Sequence, residues 1–286
     1  MANKSYFQNI LVPVDGSRFS FQNIEVAADI AEKFNSKVTV LHVVPHVIAH
    51  PPKEYTQQVS DSVRKEMENW FLQRGKQALE EAKMLFAERT VKVDTLLEQF
   101  TDPAETILKV AKEKKSDLIV VGSRGTSEIE DFALGSVAEK VCRYAECTVL
   151  IVKGGRRISK ILVAVDGSKH AKKAIEHTVQ MALKYNATVT LLNVAQTIYP
   201  YLTSDGAKKI GELIVSAAAK RVKELKVDER VEIGRPAKII LDIAKNENYD
   251  LIALGSRGLN PAVSFLLGSV SDIVARYAQC SVLIVR

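Results

Sequence analysis

Asp117-Leu118-Ile119-Val120-Val121-Gly122-Ser123-Arg124-Gly125 is a short apolar run that ends on a glycine-bearing turn, and it returns as Asp250-Leu251-Ile252-Ala253-Leu254-Gly255-Ser256-Arg257-Gly258. A long-period repeat decides the architecture before any local assignment does. Working outward, Ile10-Leu11-Val12-Pro13-Val14-Asp15-Gly16-Ser17 recurs as Ile161-Leu162-Val163-Ala164-Val165-Asp166-Gly167-Ser168. Near the ends, Arg143-Tyr144-Ala145 before Cys147 matches Arg276-Tyr277-Ala278 before Cys280. The 286 residues therefore read as two copies of one domain, 1–153 and 159–286, joined through the short polar linker Lys153-Gly154-Gly155-Arg156-Arg157.

Within each copy, short apolar, β-branched runs alternate with longer amphipathic stretches, the pattern of parallel strands joined by helical crossovers. Strands are expected near 9–14, 38–44, 91–97, 117–122 and 148–152, and again near 160–165, 188–194, 228–233, 250–255 and 281–285. Leu118-Ile119-Val120-Val121 is apolar on both parities, as a strand covered on both faces requires. The fold class is α/β, two tandem doubly wound sheets. The copies differ most after the second strand. The first has a long helical pattern over 54–89, with Val59, Val63, Met67, Trp70, Phe71, Ala78, Ala82 and Leu85 at three- and four-residue spacing. That stripe fits a helix packed on its own sheet, or an interaction surface overhanging it.

Composition narrows the class. A hydrophobic fraction of 47% with 26% charged residues describes an ordinary globular chain. No apolar run approaches the roughly 18 residues of a membrane span, and the first residues show no signal-peptide pattern; the expectation is a cytoplasmic protein without a membrane partner. Three cysteines without a CxxC pair argue against a disulfide framework or zinc site. The net charge of +6 is spread along helices among glutamates, which favours solvated faces over a nucleic-acid track.

The motifs with chemistry are the glycine loops. Gly122, Gly125 and Gly135-Ser136 are spaced as Gly255, Gly258 and Gly268-Ser269. A glycine at a strand exit permits positive φ and close ligand approach. Gly-Ser opening a helix offers unpaired N–H groups at the positive end of its dipole, an anion site. The glycines equally fit turns alone. Asp15 and Asp166, ending the first strand of each copy, either accept hydrogen bonds from a nucleoside or cap the following helix. If the first strand lies between the second and fourth, these loops meet at a topological switch point, where open α/β sheets bind ligands. GxxxxGK[ST] and GxGxxG after a first strand are both absent, which excludes an ordinary P-loop ATPase or dinucleotide dehydrogenase.

On these two Gly-xx-Gly-x9-Gly-Ser loops and two strand-one aspartates, the chain resembles the universal stress protein family over nearly its whole length. The resemblance implies five-stranded sheets of order 3-2-1-4-5 (adenine nucleotide alpha hydrolase-like) and ATP or AMP between the first and fourth strands. It implies adenosine contacts from Pro13, Val14, Asp15 and Val43, and phosphate contacts from Gly122, Arg124, Gly125, Gly135, Ser136 and Val137. The second set is Ala164, Val165, Asp166 and Val194, with Gly255, Arg257, Gly258, Gly268, Ser269 and Val270. Ala164 departs from the frequent proline. The family's pairing through last strands implies an internal pseudo-dimer in which 148–152 meets 281–285; a homodimer and a protein partner stay open.

The two loops differ in charge. Thr126–Leu134 carries Glu128, Glu130 and Asp131, whereas Leu259–Leu267 carries no carboxylate. A carboxylate about 8 Å from a phosphate charge costs roughly 0.5–2 kcal/mol at an effective dielectric of about 20–80. The second site is therefore expected to bind more tightly, unless the acids turn to solvent or recruit Mg²⁺. No histidine or lysine stands in either loop as a base or nucleophile. His42, His46 and His50 are spaced by four, but Pro45, Pro51 and Pro52 favour a loop after the second strand over a metal-binding helix face. His170 and His177 are expected to face solvent. The expectation is a nucleotide-binding regulatory protein, not an enzyme; a weak ATPase or autokinase and a nucleotide-free scaffold are the alternatives.

Overall fold

A computed structural model describes residues 6–45, 61–87, 89–125, 134–154, 157–197, 203–258 and 267–286. The first repeat runs β1 (Asn9–Val14), α1 (Arg18–Phe34), β2 (Lys37–Pro45), α2 (Asp61–Ala87), β3 (Lys92–Thr101), α3 (Pro103–Glu113), β4 (Leu118–Gly122), α4 (Ser136–Tyr144) and β5 (Thr148–Val152). The second runs β6 (Lys160–Ala164), α5 (Lys169–Tyr185), β7 (Thr188–Ala195), α6 (Ser204–Ala219), β8 (Val227–Ile233), α7 (Pro236–Asn246), β9 (Leu251–Gly255), α8 (Ser269–Tyr277) and β10 (Ser281–Val285). Strand order is β3-β2-β1-β4-β5 in the first repeat and β8-β7-β6-β9-β10 in the second.

The central strands are buried on both faces, as their unbroken apolar runs require: every residue of β4 and of β5 is enclosed. The edge strands β3 and β8 are half-buried and interleave charged side chains, which protects an open edge. By compactness the chain divides after Val141, earlier than the linker in sequence, and the second unit takes β5. The reason is a ladder: β10 pairs with β5 antiparallel, Val282 opposite Ile151 and Ile284 opposite Val149.

Helix ends follow local chemistry. Ser17 and Ser168 cap α1 and α5, their hydroxyls accepting the N–H of Ser20 and Ala171. Asn35 and Asn186 end the same helices in the left-handed region, at φ 53° and 52°. In the long crossover helix, Ala78, Leu79, Ala82 and Phe86 are buried, whereas Met67 and Trp70 are exposed. The stretch from Ala78 to Phe86 thus packs on the sheet, whereas Met67 and Trp70 do not; Val59 and the Val63 side chain lie outside the described residues.

Two carboxylates set the register at the sheet's centre. Asp117, just before β4, accepts the N–H groups of Gln8 at 2.8 Å and Asn9 at 3.0 Å. Asp250 repeats this before β9, accepting Ser159 N–H and Lys160 N–H at 2.9 Å each and the Ser159 hydroxyl at 2.6 Å. Each joins the start of the repeat's first strand to its fourth. Burial raises the Asp117 pKa against the lowering effect of those backbone N–H groups. Removing a half-buried acceptor that serves two backbone donors costs about 1–3 kcal/mol. Asp117→Ala is therefore expected to lower the urea midpoint of the first unit, followed by the emission of Trp70, the only tryptophan in the chain; an unchanged midpoint would show the clamp to be dispensable.

Candidate functional site

Each repeat opens a cavity where its first strand lies between its second and fourth. In the first unit β1 pairs in parallel with β2, Val14 opposite His42, and with β4, Ile10 opposite Leu118. In the second, β6 pairs likewise with β7 and β9. The first cavity, of about 620 Å³, brings together Pro13, Val14 and Asp15 from β1 and its exit, Val43 from β2, Gly122, Arg124 and Gly125 after β4, and Gly135, Ser136 and Val137 at the start of α4. The second, of about 490 Å³, brings together Ala164, Val165, Asp166, Val194, Gly255, Arg257, Gly258, Gly268, Ser269 and Val270. Residues far apart in sequence thus converge because parallel strands all end on one side of the sheet.

The helix cap does not consume the aspartates. Since Ser17 and Ser168 fill that role, Asp15 Oδ1 accepts the Ser17 N–H at 3.0 Å and a bond from the Ser20 hydroxyl, and Asp166 Oδ1 accepts the Ser168 N–H at 2.9 Å. The second oxygen of each faces the glycine loop. A Cβ on Gly125 would stand 2.4 Å from Asp15 Oδ2, and one on Gly258 would stand 2.8 Å from Asp166 Oδ2.

The loop glycines are required for closeness rather than for conformation. The expected positive φ is absent at Gly122, Gly125, Gly255 and Gly258; the glycines that show it include Gly16 and Gly167 in the turns after the first strands. A Cβ on Gly122 would meet Asn23 Nδ2 at 2.6 Å. On Gly255 it would meet the His170 carbonyl carbon at 2.7 Å and the Ala171 nitrogen at 2.8 Å. Helices α1 and α5 press on the strand exits, and a side chain there would part them.

The far end of each cavity is electropositive. Gly135 and Gly268 donate their own N–H groups to the carbonyls of Ser123 and Ser256 at 2.8 Å, which closes the loop. The following N–H groups, of Ser136 and Val137 and of Ser269 and Val270, belong to the open first turn of a helix. Gly268 caps α8 without a side-chain bond. The arginines differ. Arg124 lies over the Phe19 ring at 5.9 Å, whereas Arg257 Nε is buried without a partner. His170, in the place of Phe19, is half-buried, and its pKa is lowered by burial and by Arg257, Lys173, Arg286 and Lys169. His177 is also half-buried. Both correct the expected solvent-facing placement: His170 packs on the strand exit at Gly255, and the His177 ring lies 3.5 Å from the Thr148 hydroxyl.

Several lining residues escape the repeat pattern. His42 and Asn193, one position before Val43 and Val194, line the two cavities, as do Trp70, Phe71 and Arg74 of α2 and Ile210, Gly211 and Ile214 of α6. A readable signal exists in Gly75 and Gly211, isolated glycines inside helices, which mark a close approach. Glu128, Glu130, Asp131, His46 and His50 lie outside the described residues, as do 259–266. Among the described residues no cluster of three His, Cys, Asp or Glu side chains suits a metal, and no helix is long and apolar enough to cross a membrane.

The glycine geometry separates two outcomes. Gly255→Ala drives a methyl against backbone and is expected to destabilise the second unit by about 1–3 kcal/mol, measurable by hydrogen exchange in α5 and β9. Gly258→Ala meets only a carboxylate oxygen that is free to turn, and is expected to leave that protection unchanged. Equal losses in both variants would contradict this account.

The universal stress protein family model matches residues 7–153 and again 157–286. A universal stress protein of Mycolicibacterium smegmatis is 28% identical over 295 residues, spanning 97% of this chain and 96% of its own. Universal stress protein YxiE of Bacillus subtilis is 35% identical over 156 residues, 51% of this chain and 99% of its own, the proportions of one repeat. The crystal structure of a universal stress protein from Archaeoglobus fulgidus is similar with a TM-score of 0.68 at 26% identity, covering 99% of this chain and 98% of that one. The chain belongs to the universal stress protein family and carries the family's domain twice in tandem.

Proposed function

We propose that this chain is a stress-response regulatory protein that binds adenine nucleotide, ATP or AMP, in each of its two cavities, and more tightly in the second. The observation that carries this reading is the polarity of each cavity. One lining group is a strand-end carboxylate with an oxygen left over from the helix turn, suited to ribose hydroxyls or an adenine amine. Another is the open first turn of a helix, suited to phosphate. A nucleotide has that same division, donors at one end and anionic oxygens at the other.

The asymmetry follows from the positive side chains. At the second cavity Arg257 has an enclosed, unpartnered Nε and lies among further cations, so an incoming phosphate gains a charge-assisted bond. At the first, Arg124 is laid on Phe19 and the neighbouring sequence carries three carboxylates. No lysine is among the described residues that line either cavity. Regulation by occupancy therefore fits better than phosphoryl transfer.

Trp70 lines the first cavity, so its emission reads that cavity alone, while calorimetry counts both. Titrating the full chain with AMP and with ATP is expected to show a tight class of site silent in Trp70 emission and a weaker class that changes it. Asp166→Ala or Gly268→Val is expected to weaken the tight class by on the order of tenfold, about 1.4 kcal/mol, and to spare the weak one. Trp70 responding at the tight class would reverse the ranking; the absence of both heat and copurified nucleotide would favour the scaffold.

A further inference from the structure

We propose that His42 is a positioning residue for the helical wall of the first cavity, and that this wall gives way in mild acid while the matching wall of the second cavity does not. His42 sits on β2 with 8% of its surface exposed. It stands in register beside Val14 of β1, whose carbonyl favours the protonated ring, and its Nδ1 is enclosed with no hydrogen-bond partner. The ring lies directly against α2: a Cβ on Gly75 would stand 2.7 Å from His42 Cδ2 and 3.1 Å from Nε2. About one turn earlier on the same helix, Trp70, Phe71 and Arg74 form part of the cavity wall. A side chain at position 75 would have no room beside the imidazole.

The second repeat performs the same task with a group that does not titrate. Asn193 donates its Nδ2 to the Val165 carbonyl at 2.7 Å, and it lies under Gly211 of α6 as His42 lies under Gly75. A Cβ on Gly211 would stand 2.7 Å from Asn193 Oδ1. Two polar side chains at one place in the fold thus each fill the space between the end of the first strand and a crossover helix. Only one of them takes up a proton.

The sign of the effect follows from the surroundings. A proton taken up by the ring places a charge in an enclosed space. Burial holds the His42 pKa below its ordinary value and outweighs the Val14 carbonyl and Asp15, just after β1, which both favour the cation. Arg74 on α2 and Arg124 in the glycine loop, both cationic, line the same cavity. On β3, Leu97 stands opposite His42, with Glu98 one residue further, opposite Val43. A histidine whose folded pKa lies below its unfolded value contributes stability that is present above about 6.5 and is lost as pH falls below it. The wall is therefore intact at neutral pH and loosens in acid.

The wall itself needs no ligand; its consequence for affinity rests on the nucleotide reading above. The emission of Trp70 in the full chain, followed from pH 7.5 to 5.0 without nucleotide, is expected to show a transition below pH 6.5. That transition should disappear in His42→Asn, which installs the second repeat's own residue, and in His42→Gln if the first variant folds poorly. With AMP present, the first cavity is expected to lose at least about threefold more affinity between pH 7.5 and 5.5 in the parent than in His42→Asn. The variants are compared at equal pH because the ligand's own phosphate titrates near pH 6. A flat emission profile in the parent, or a transition that survives both substitutions, would overturn the proposal. Failure of AMP to bind would overturn the nucleotide reading instead, and the ligand-free profile would still decide the role of His42.

Discussion

The junction of the first and fourth strands is the constraint on which the rest depends. Both cavities exist because β1 and β6 have a neighbour on each side from a different direction of winding, which leaves a crevice at the strands' carboxyl ends. Asp117 and Asp250 hold the opposite ends of those strands together through backbone N–H groups. With the starts in register, the exits are in register too, so Asp15 reaches Gly125 and Asp166 reaches Gly258 without further adjustment. A slip by one residue would turn every side chain of these strands to the other face and take the aspartates out of the cavities.

That frame was legible because it is built from signals that act locally or repeat. Strand runs apolar on both parities, serines ahead of amphipathic stretches, and two copies of one glycine spacing all survive without knowledge of the third dimension. The helix cap was ambiguous at Asp-Gly-Ser, since both aspartate and serine cap well. Coordinates resolve it in favour of Ser17 and Ser168 and so leave the carboxylates available.

What could not be read is what depends on distance between segments remote in sequence. Gly122 and Gly255 look like turn glycines, yet their backbone needs no glycine; the need comes from Asn23 in one copy and from the His170–Ala171 backbone in the other. The stripe on the long crossover helix looked continuous, but packing divides it. Ala82 is fully enclosed while Trp70 keeps 54% of its surface and borders the cavity. His42, grouped by its spacing with His46 and His50 in a loop after the second strand, instead lies within β2 with its ring beneath Gly75.

Duplication has treated frame and wall differently, and the reason is physical. At the frame positions Gly122 and Gly255 a helix packs on the strand exit so closely that an added methyl group has no room, while Gly125 and Gly258 face only a carboxylate; these glycines and the aspartates stand unchanged in both copies. Wall positions are contributed by the crossover after the second strand, whose only obligation is to cover the crevice. A 27-residue helix bearing Trp70, Phe71 and Arg74 does so in one copy, and a 16-residue helix bearing Ile210 and Ile214 does so in the other. Because the glycine-loop end of each cavity is built mostly from backbone and the wall from side chains, the two cavities can diverge in charge and aromatic content while that end keeps the same open first turn of a helix.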